Sequence, residues 1–144
     1  MISTIISIGG FLKRKLAKSA PEPVVVIGTD YLAYHICETL NASGSHYSVA
    51  FVIDEEPWNH RTQLAGAELR YPSELAALIK RYDIKAVICT TLTQKDFYTA
   101  YIQSALKGCC CAVVTIFEEA DSQEIEQQIL QAARAQQAAN QTGR

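Results

Sequence analysis

The sequence predicts an α/β chain: a small doubly wound parallel sheet with strand order 3-2-1-4-5 and an extra N-terminal helical segment. Three observations carry this. Short continuous apolar runs recur at Val24–Ile27, Val49–Ile53, Ala67–Tyr71, Lys85–Cys89 and Cys109–Phe117, as expected for strands buried on both faces. Stretches with helical apolar spacing separate most of them. Strands alternating with crossover helices require parallel pairing with right-handed connections. The first strand then runs into Gly28, where a doubly wound sheet makes its tight turn into the first helix.

Each element has a local reason. Ser19-Ala20-Pro21-Glu22-Pro23 reads as a linker, because two prolines fix extended backbone and stop a preceding helix. Three regions follow: an N-terminal amphipathic segment with the proline linker over 1–23, the folded domain over 24–130, and a polar tail over 131–144. Ala33, Ile36, Cys37 and Leu40 form one face of the first helix, with Gly44 suited to a left-handed cap. After the second strand comes Asp54-Glu55-Glu56-Pro57 and a loop of about a dozen residues holding His60 and Arg61. Ser73 is a candidate N-cap for the next helix, whose stripe is Leu75, Leu78, Ile79 and Tyr82. Thr93 with Asp96, and Asp121 with Glu124, have capping-box spacing. The helices behind them offer Tyr98, Tyr101, Ile102, Ala105 and Leu106, then Ile125, Ile129 and Leu130.

The 144 residues suit one domain, and 49% hydrophobic with 19% charged residues is ordinary globular composition. A net charge of −2 lacks the concentrated basic face that nucleic acid requires, so no nucleic-acid partner is expected. No apolar run is long enough to span a bilayer. Residues 1–18 pair an apolar face (Ile2, Ile5, Ile6, Phe11, Leu12, Leu16) with Lys13, Arg14, Lys15 and Lys18. This leaves two readings open: peripheral contact with an anionic membrane, or packing on the domain or on a second copy as a homo-oligomer. The five cysteines have no zinc spacing, so no metal site is expected. They read as small apolar residues of a cytoplasmic protein, with a redox-reactive thiol as the alternative.

The ligand crevice of such a sheet lies at the switch point between the first and fourth predicted strands, outside their C-terminal ends. The residues placed there are Gly28, Thr29, Asp30 and Tyr31, Asp54 and Glu55, and Thr90 and Thr91, with Arg61 able to reach over from its loop. A dinucleotide fingerprint reads Gly-x-Gly-x-x-Gly or Ala, but the chain reads Gly28-Thr29-Asp30-Tyr31-Leu32-Ala33. Aspartate at the middle glycine would repel a pyrophosphate. The same carboxylate can cap the helix it begins, or hydrogen-bond a hydroxyl or amine of another ligand. Asp54 stands where an acid can take a ribose hydroxyl; the alternative is a solvated acid in an acidic run. Arg61 is either a phosphate contact or a solvated loop residue. No nucleophile, base and orienting group can be assembled from the order of residues, so no catalytic residue is assigned.

Val24–Ala33, Val49–Pro57, Gly66–Leu75 and Ile84–Thr91 together resemble a small Rossmann domain of the CoA-binding-like type. Such domains stand at the N-terminus of nucleoside-diphosphate-sugar dehydratases and epimerases of capsular polysaccharide biosynthesis, and of some bacterial sugar acetyltransferases. The family's strand ending Gly-Phe-Ile-Asp-Asp has its counterpart in Ala50-Phe51-Val52-Ile53-Asp54-Glu55, and its Gly-x-Pro-Val strand in Gly66-Ala67-Glu68-Leu69. The resemblance implies a Rossmann-like fold, a nucleotide cofactor such as NAD(P) or another nucleotide, and a link to sugar-nucleotide metabolism. Asp30 departs from the family's glycine, and no Tyr-x-x-x-Lys pair is present. The expectation is therefore a non-catalytic nucleotide or nucleotide-sugar binding module. Its alternatives are an assembly domain that has lost ligand binding and a small NAD(P)-dependent oxidoreductase.

Overall fold

A computed structural model describes residues 20–42, 44–56, 61–106 and 109–142, with side chains to 139. The N-terminal segment proposed over 1–18, and His60, lie outside the described residues. The elements are β1 (Glu22–Ile27), α1 (Tyr31–Ala42), β2 (Tyr47–Ile53), β3 (Gln63–Leu64) and β4 (Ala67–Arg70). A short 3-10 turn at Pro72–Glu74 leads into α2 (Leu75–Tyr82). Then come β5 (Ala86–Cys89), α3 (Leu92–Ala105), β6 (Ala112–Thr115) and α4 (Ser122–Thr142).

The sheet order is β3-β4-β2-β1-β5-β6, parallel except for the β3–β4 pair. The five strands read from sequence thus take the order 3-2-1-4-5, and the doubly wound Rossmann-like architecture is present. β3 is the addition, a two-residue antiparallel edge inside the segment expected to be loop. Val24, Val25 and Val26 of central β1 have no exposed surface at all, which is why this strand reads as unbroken valine.

Helices cover both faces. On one, α1 (Ala33, Ile36, Cys37, Leu40) and α4 (Ile125, Ile129) pack against Val24, Val26, Val52 and Ile88. On the other, α2 (Leu75, Leu78, Ile79) and α3 (Tyr98, Ile102) pack against Val25, Ile53 and Val87. A bulge interrupts β2: Val24 pairs with Val49 but Val25 with Phe51, leaving Ala50 as an extra residue. Asn41, in the last turn of α1, fastens this place. Its amide accepts from Val49 N–H at 2.8 Å and donates to the Val49 and Ala65 carbonyls at 3.2 and 3.0 Å.

Several local expectations are corrected. Ser73 caps nothing; Glu74 bonds back to Tyr71 N–H at 2.9 Å and the helix starts after the 3-10 turn. The cap of α3 is Thr91, which accepts from Gln94 N–H at 3.1 Å, so Thr93 and Asp96 lie within the helix. Gly44 is not left-handed; positive φ among the described glycines belongs to Gly28 and Gly66. Tyr82, Leu130 and Ala105 are exposed rather than inward. The fifth predicted strand is shortened, because Cys109–Cys111 precede β6 instead of belonging to it. The Asp121–Glu124 box forms with both reciprocal bonds, at 2.9 and 3.2 Å.

Candidate functional site

The C-terminal rim of the sheet is built around the turn leaving β1. Gly28 has φ +95°, a conformation L side chains rarely adopt, and its N–H donates to Ile53 carbonyl at 2.8 Å. Asp30 is the N-cap of α1. Its Oδ1 accepts from Ala33 N–H at 2.8 Å, and its carbonyl accepts from Tyr34 N–H at 2.9 Å. One of the N–H groups that would face a phosphate at this helix end is therefore taken by the chain's own carboxylate, which also complements the helix dipole.

The other wall of the switch point is the exit from β5. Thr90 is buried, and its N–H and Oγ1 both donate to Gln94 Oε1, at 2.9 and 3.4 Å. The Gln94 amide then extends across the crevice: a Cβ built at Gly28 would meet Gln94 Nε2 at 3.9 Å. Gln94 is a site residue that the sequence reading missed. Its signal was present in the spacing Thr91-Leu92-Thr93-Gln94, a capping-box pattern two positions before Thr93–Asp96.

Gly28, Thr29, Asp30, Thr90 and Thr91 are thus gathered at one place. Tyr31 starts there but turns away. Its ring stacks against His35 at 6.3 Å, and a hydrogen bond to Glu119, with that carboxylate's charge, raises its phenol pKa. Asp54 continues the β2–β4 pairing, its N–H donating to Arg70 carbonyl at 2.9 Å, with Glu55 exposed next to it. Arg61 is not brought to Gly28. It lies at the outer edge beside β4, its N–H bonded to Leu69 carbonyl at 2.7 Å and its guanidinium 3.6 Å from Glu68.

A cavity of about 470 Å³ opens on the α2/α3 side of this rim, lined by Glu55, Tyr71, Pro72, Ser73, Phe97 and Tyr98. Phe97 is 60% exposed; it meets Tyr98 edge-on at 4.9 Å and lies nearly parallel to Tyr101 at 6.4 Å. Burial, with the nearby Cys89, Glu55 and Tyr101, pushes the Tyr98 phenol up to about 12, so it stays protonated as a donor. Of the lining residues only Glu55 was expected at the ligand crevice from sequence. The aromatic ones come from two separate places, the turn after β4 (Tyr71) and α3 (Phe97, Tyr98), and their convergence has no signature in spacing. Among the described residues, no three His, Cys, Asp or Glu side chains converge as a metal site, and no helix is long and apolar enough to cross a membrane.

No protein-family model and no curated protein matches the sequence. Among solved structures, the chain is similar to UDP-D-quinovosamine 4-dehydrogenase from Vibrio fischeri, with 19% identity and a TM-score of 0.56, over 75% of this chain and 85% of that one. It is also similar to RSP, a Rex-family repressor, with 17% identity and a TM-score of 0.55, over 82% of this chain and 57% of that one. RSP has been solved with beta-NADH, and with beta-NAD+ and operator DNA. The chain spans somewhat more than half of RSP. At these identities the likeness establishes the Rossmann-like fold.

Proposed function

We propose that the chain is a non-catalytic binding module that takes a nucleotide or nucleotide-sugar by its nucleoside end. The reading rests on one observation: an aromatic cavity, Tyr71, Phe97 and Tyr98, includes Glu55 from just past the end of β2. A planar base can stack on an exposed ring such as Phe97, where stacking contributes roughly 1–3 kcal/mol per base. Glu55 supplies acceptors for ribose hydroxyls. A pyrophosphate in the usual place is disfavoured, because the Asp30 carboxylate takes the Ala33 N–H and its charge repels phosphate. The phosphates of a bound nucleotide would instead lead outward to solvent. The likeness to proteins named for a UDP-sugar and for NADH, and the resemblance to CoA-binding-like domains, support the ligand class.

Thermal unfolding with adenosine, UDP, NADH, CoA and a UDP-sugar tests this. A ligand at 100 times its dissociation constant adds about 2.7 kcal/mol, a rise of roughly 8 °C for a domain of this size. Phe97→Ala should abolish the rise while leaving the unliganded transition nearly in place, since the ring is exposed. No shift with any ligand, or a shift that survives Phe97→Ala, overturns the proposal.

A second reading has its own observation. Leu92, Phe97 and Phe117 are each 59–60% exposed at the same end of the sheet. That apolar surface suits an assembly domain, which predicts a concentration-dependent mass by light scattering that Phe117→Ser reduces.

A further inference from the structure

A second cavity, of about 350 Å³, lies at the opposite end of the sheet, between the end of α2 and the entry to β6. Its lining includes Lys80, Asp83, Lys85 and the run Cys109, Cys110 and Cys111. No disulfide joins these cysteines, and they differ sharply in setting: Cys109 is half-buried, Cys110 exposed and Cys111 buried. The chain turns here rather than running on as strand. Cys109 N–H donates to Leu106 carbonyl at 3.2 Å, and Cys111 N–H donates to Cys109 Sγ at 3.2 Å. The Cys111 thiol adds a second hydrogen bond to the same sulfur. Its other acceptor, the Ala112 carbonyl, is at 3.8 Å.

Two donors aimed at one sulfur favour its thiolate. The charged groups facing the cavity divide. Asp83 opposes the thiolate, but it is itself engaged by Lys85 Nζ at 2.9 Å, and Lys80 stands on the α2 wall. The net effect, led by the Cys111 hydrogen bond, lowers Cys109 to about 6 despite its burial. The same contact, with burial, raises the Cys111 thiol, which therefore keeps its proton. One sulfur is prepared as a nucleophile, the neighbouring one is held protonated against it, and a cavity gives access.

We propose that Cys109 reduces a small hydroperoxide entering this cavity and that Cys111 then closes onto it as a disulfide. In the first step the Cys109 thiolate attacks the terminal peroxide oxygen and the O–O bond breaks. Sulfur gives two electrons, a sulfenic acid forms, and the departing alkoxide or hydroxide takes a proton from water. In the second step Cys111 sulfur attacks the sulfenic sulfur. An S–S bond forms, the S–O bond breaks, and the hydroxyl leaves as water with the Cys111 proton.

The full chain, treated with hydrogen peroxide and digested with trypsin, reads the outcome directly, because peptide 108–134 carries Cys109, Cys110 and Cys111 and no other cysteine. Wild type and Cys110→Ala should each lose two hydrogens in that peptide and two sites of later alkylation. Cys111→Ala should instead accumulate a dimedone adduct on Cys109, and Cys109→Ala should show neither. A disulfide that persists in Cys109→Ala, or a wild-type peptide left unoxidised, overturns the proposal. Site-resolved alkylation of the untreated wild type across pH needs no variant. Cys109 should titrate with a midpoint of about 6. At neutral pH it should react roughly two- to four-fold faster than an ordinary thiol, its larger thiolate fraction being partly offset by lower intrinsic nucleophilicity. Cys110 reacting first at every pH overturns it equally.

Discussion

Replacing Asp30 with glycine separates what this residue does for the fold from what it does to a ligand. The 2.8 Å bond from Ala33 N–H to Asp30 Oδ1 is lost, and the loop becomes Gly-x-Gly-x-x-Ala. Glycine is itself a tolerable N-cap, so the lost cap costs only a few tenths of a kcal/mol. Removing the carboxylate from the positive end of α1 costs about 0.3–1 kcal/mol more. Asp30→Gly should therefore be less stable by roughly 0.5–1.5 kcal/mol, with its urea midpoint lower by roughly 0.3–1 M. Anion binding should move the other way. A carboxylate 4 Å from a phosphate is repulsive by about 1 kcal/mol in water and about 4 kcal/mol at an effective dielectric near 20. Relieving it should tighten pyrophosphate binding by at least about five-fold, rising to several hundred-fold at the upper figure. Isothermal calorimetry with inorganic pyrophosphate, run on both proteins at one low ionic strength, measures this beside the urea titration. If the variant unfolds at the wild-type midpoint, Asp30 is no cap. If pyrophosphate binding does not improve, the carboxylate is not what keeps phosphate from this helix, and Gln94 becomes the suspect.

Two further outcomes follow from the same geometry. Gly28→Ala should destabilise by about 1–3 kcal/mol through its φ of +95° alone, since the nearest foreign atom lies at an ordinary 3.9 Å; denaturation showing no loss would mean the turn relaxes freely. Cys37 and Cys89 have no exposed surface, and burial pushes each thiol from 9.0 up to about 12. Above about pH 9 the unfolded chain releases thiol protons that the folded chain retains, so stability is full below pH 9 and falls toward pH 12. Urea titrations at about pH 8 and about pH 10 should show the decline, which Cys37→Ala should lessen; a flat profile refutes the sign.

Features that fix many residues at once were legible in the sequence. The α1 stripe Ala33, Ile36, Cys37 and Leu40 is the set of residues the helix buries, because a helix under a sheet must present one face every turn. The strand order followed from alternation and handedness. The Asp121–Glu124 box and the Asp30 cap were legible too, but several other features that depend on one or two residues were not. β3 is two residues long, too short for any period to show. Thr91 and Thr93 are equally good hydroxyl caps, and the choice between them is made by where β5 ends, a tertiary matter. Tyr82 has helical phase for burial but sits in the last turn, where its ring instead lies 5.1 Å from Phe51 with much of its surface outside. Cys109–Cys111 read as strand because small apolar residues extend a β pattern. The turn that removes them is held by a sulfur acceptor, which no propensity records.

The extra residue in β2 sets the phase of everything after it. Tyr47 and Val49 point toward α1 and α4, and an uninterrupted alternation would send Phe51 and Ile53 the same way. Because Ala50 is taken up as a bulge, Phe51 and Ile53 face α2 and α3 instead, while Val52 takes the α1 side. Continued past the strand end, this phase carries Glu55 toward the aromatic cavity and Asp54 away from it. Deleting Ala50 would remove the bulge and leave both acids facing as they do, whereas keeping Ala50 in a regular alternation would exchange them. Whole-strand alignment with any relative that lacks the insertion would match the wrong carboxylate. Asn41, gripping Val49 from a helix, acts as the chain's clock for this half-period, so its replacement should scramble the rim from far below it.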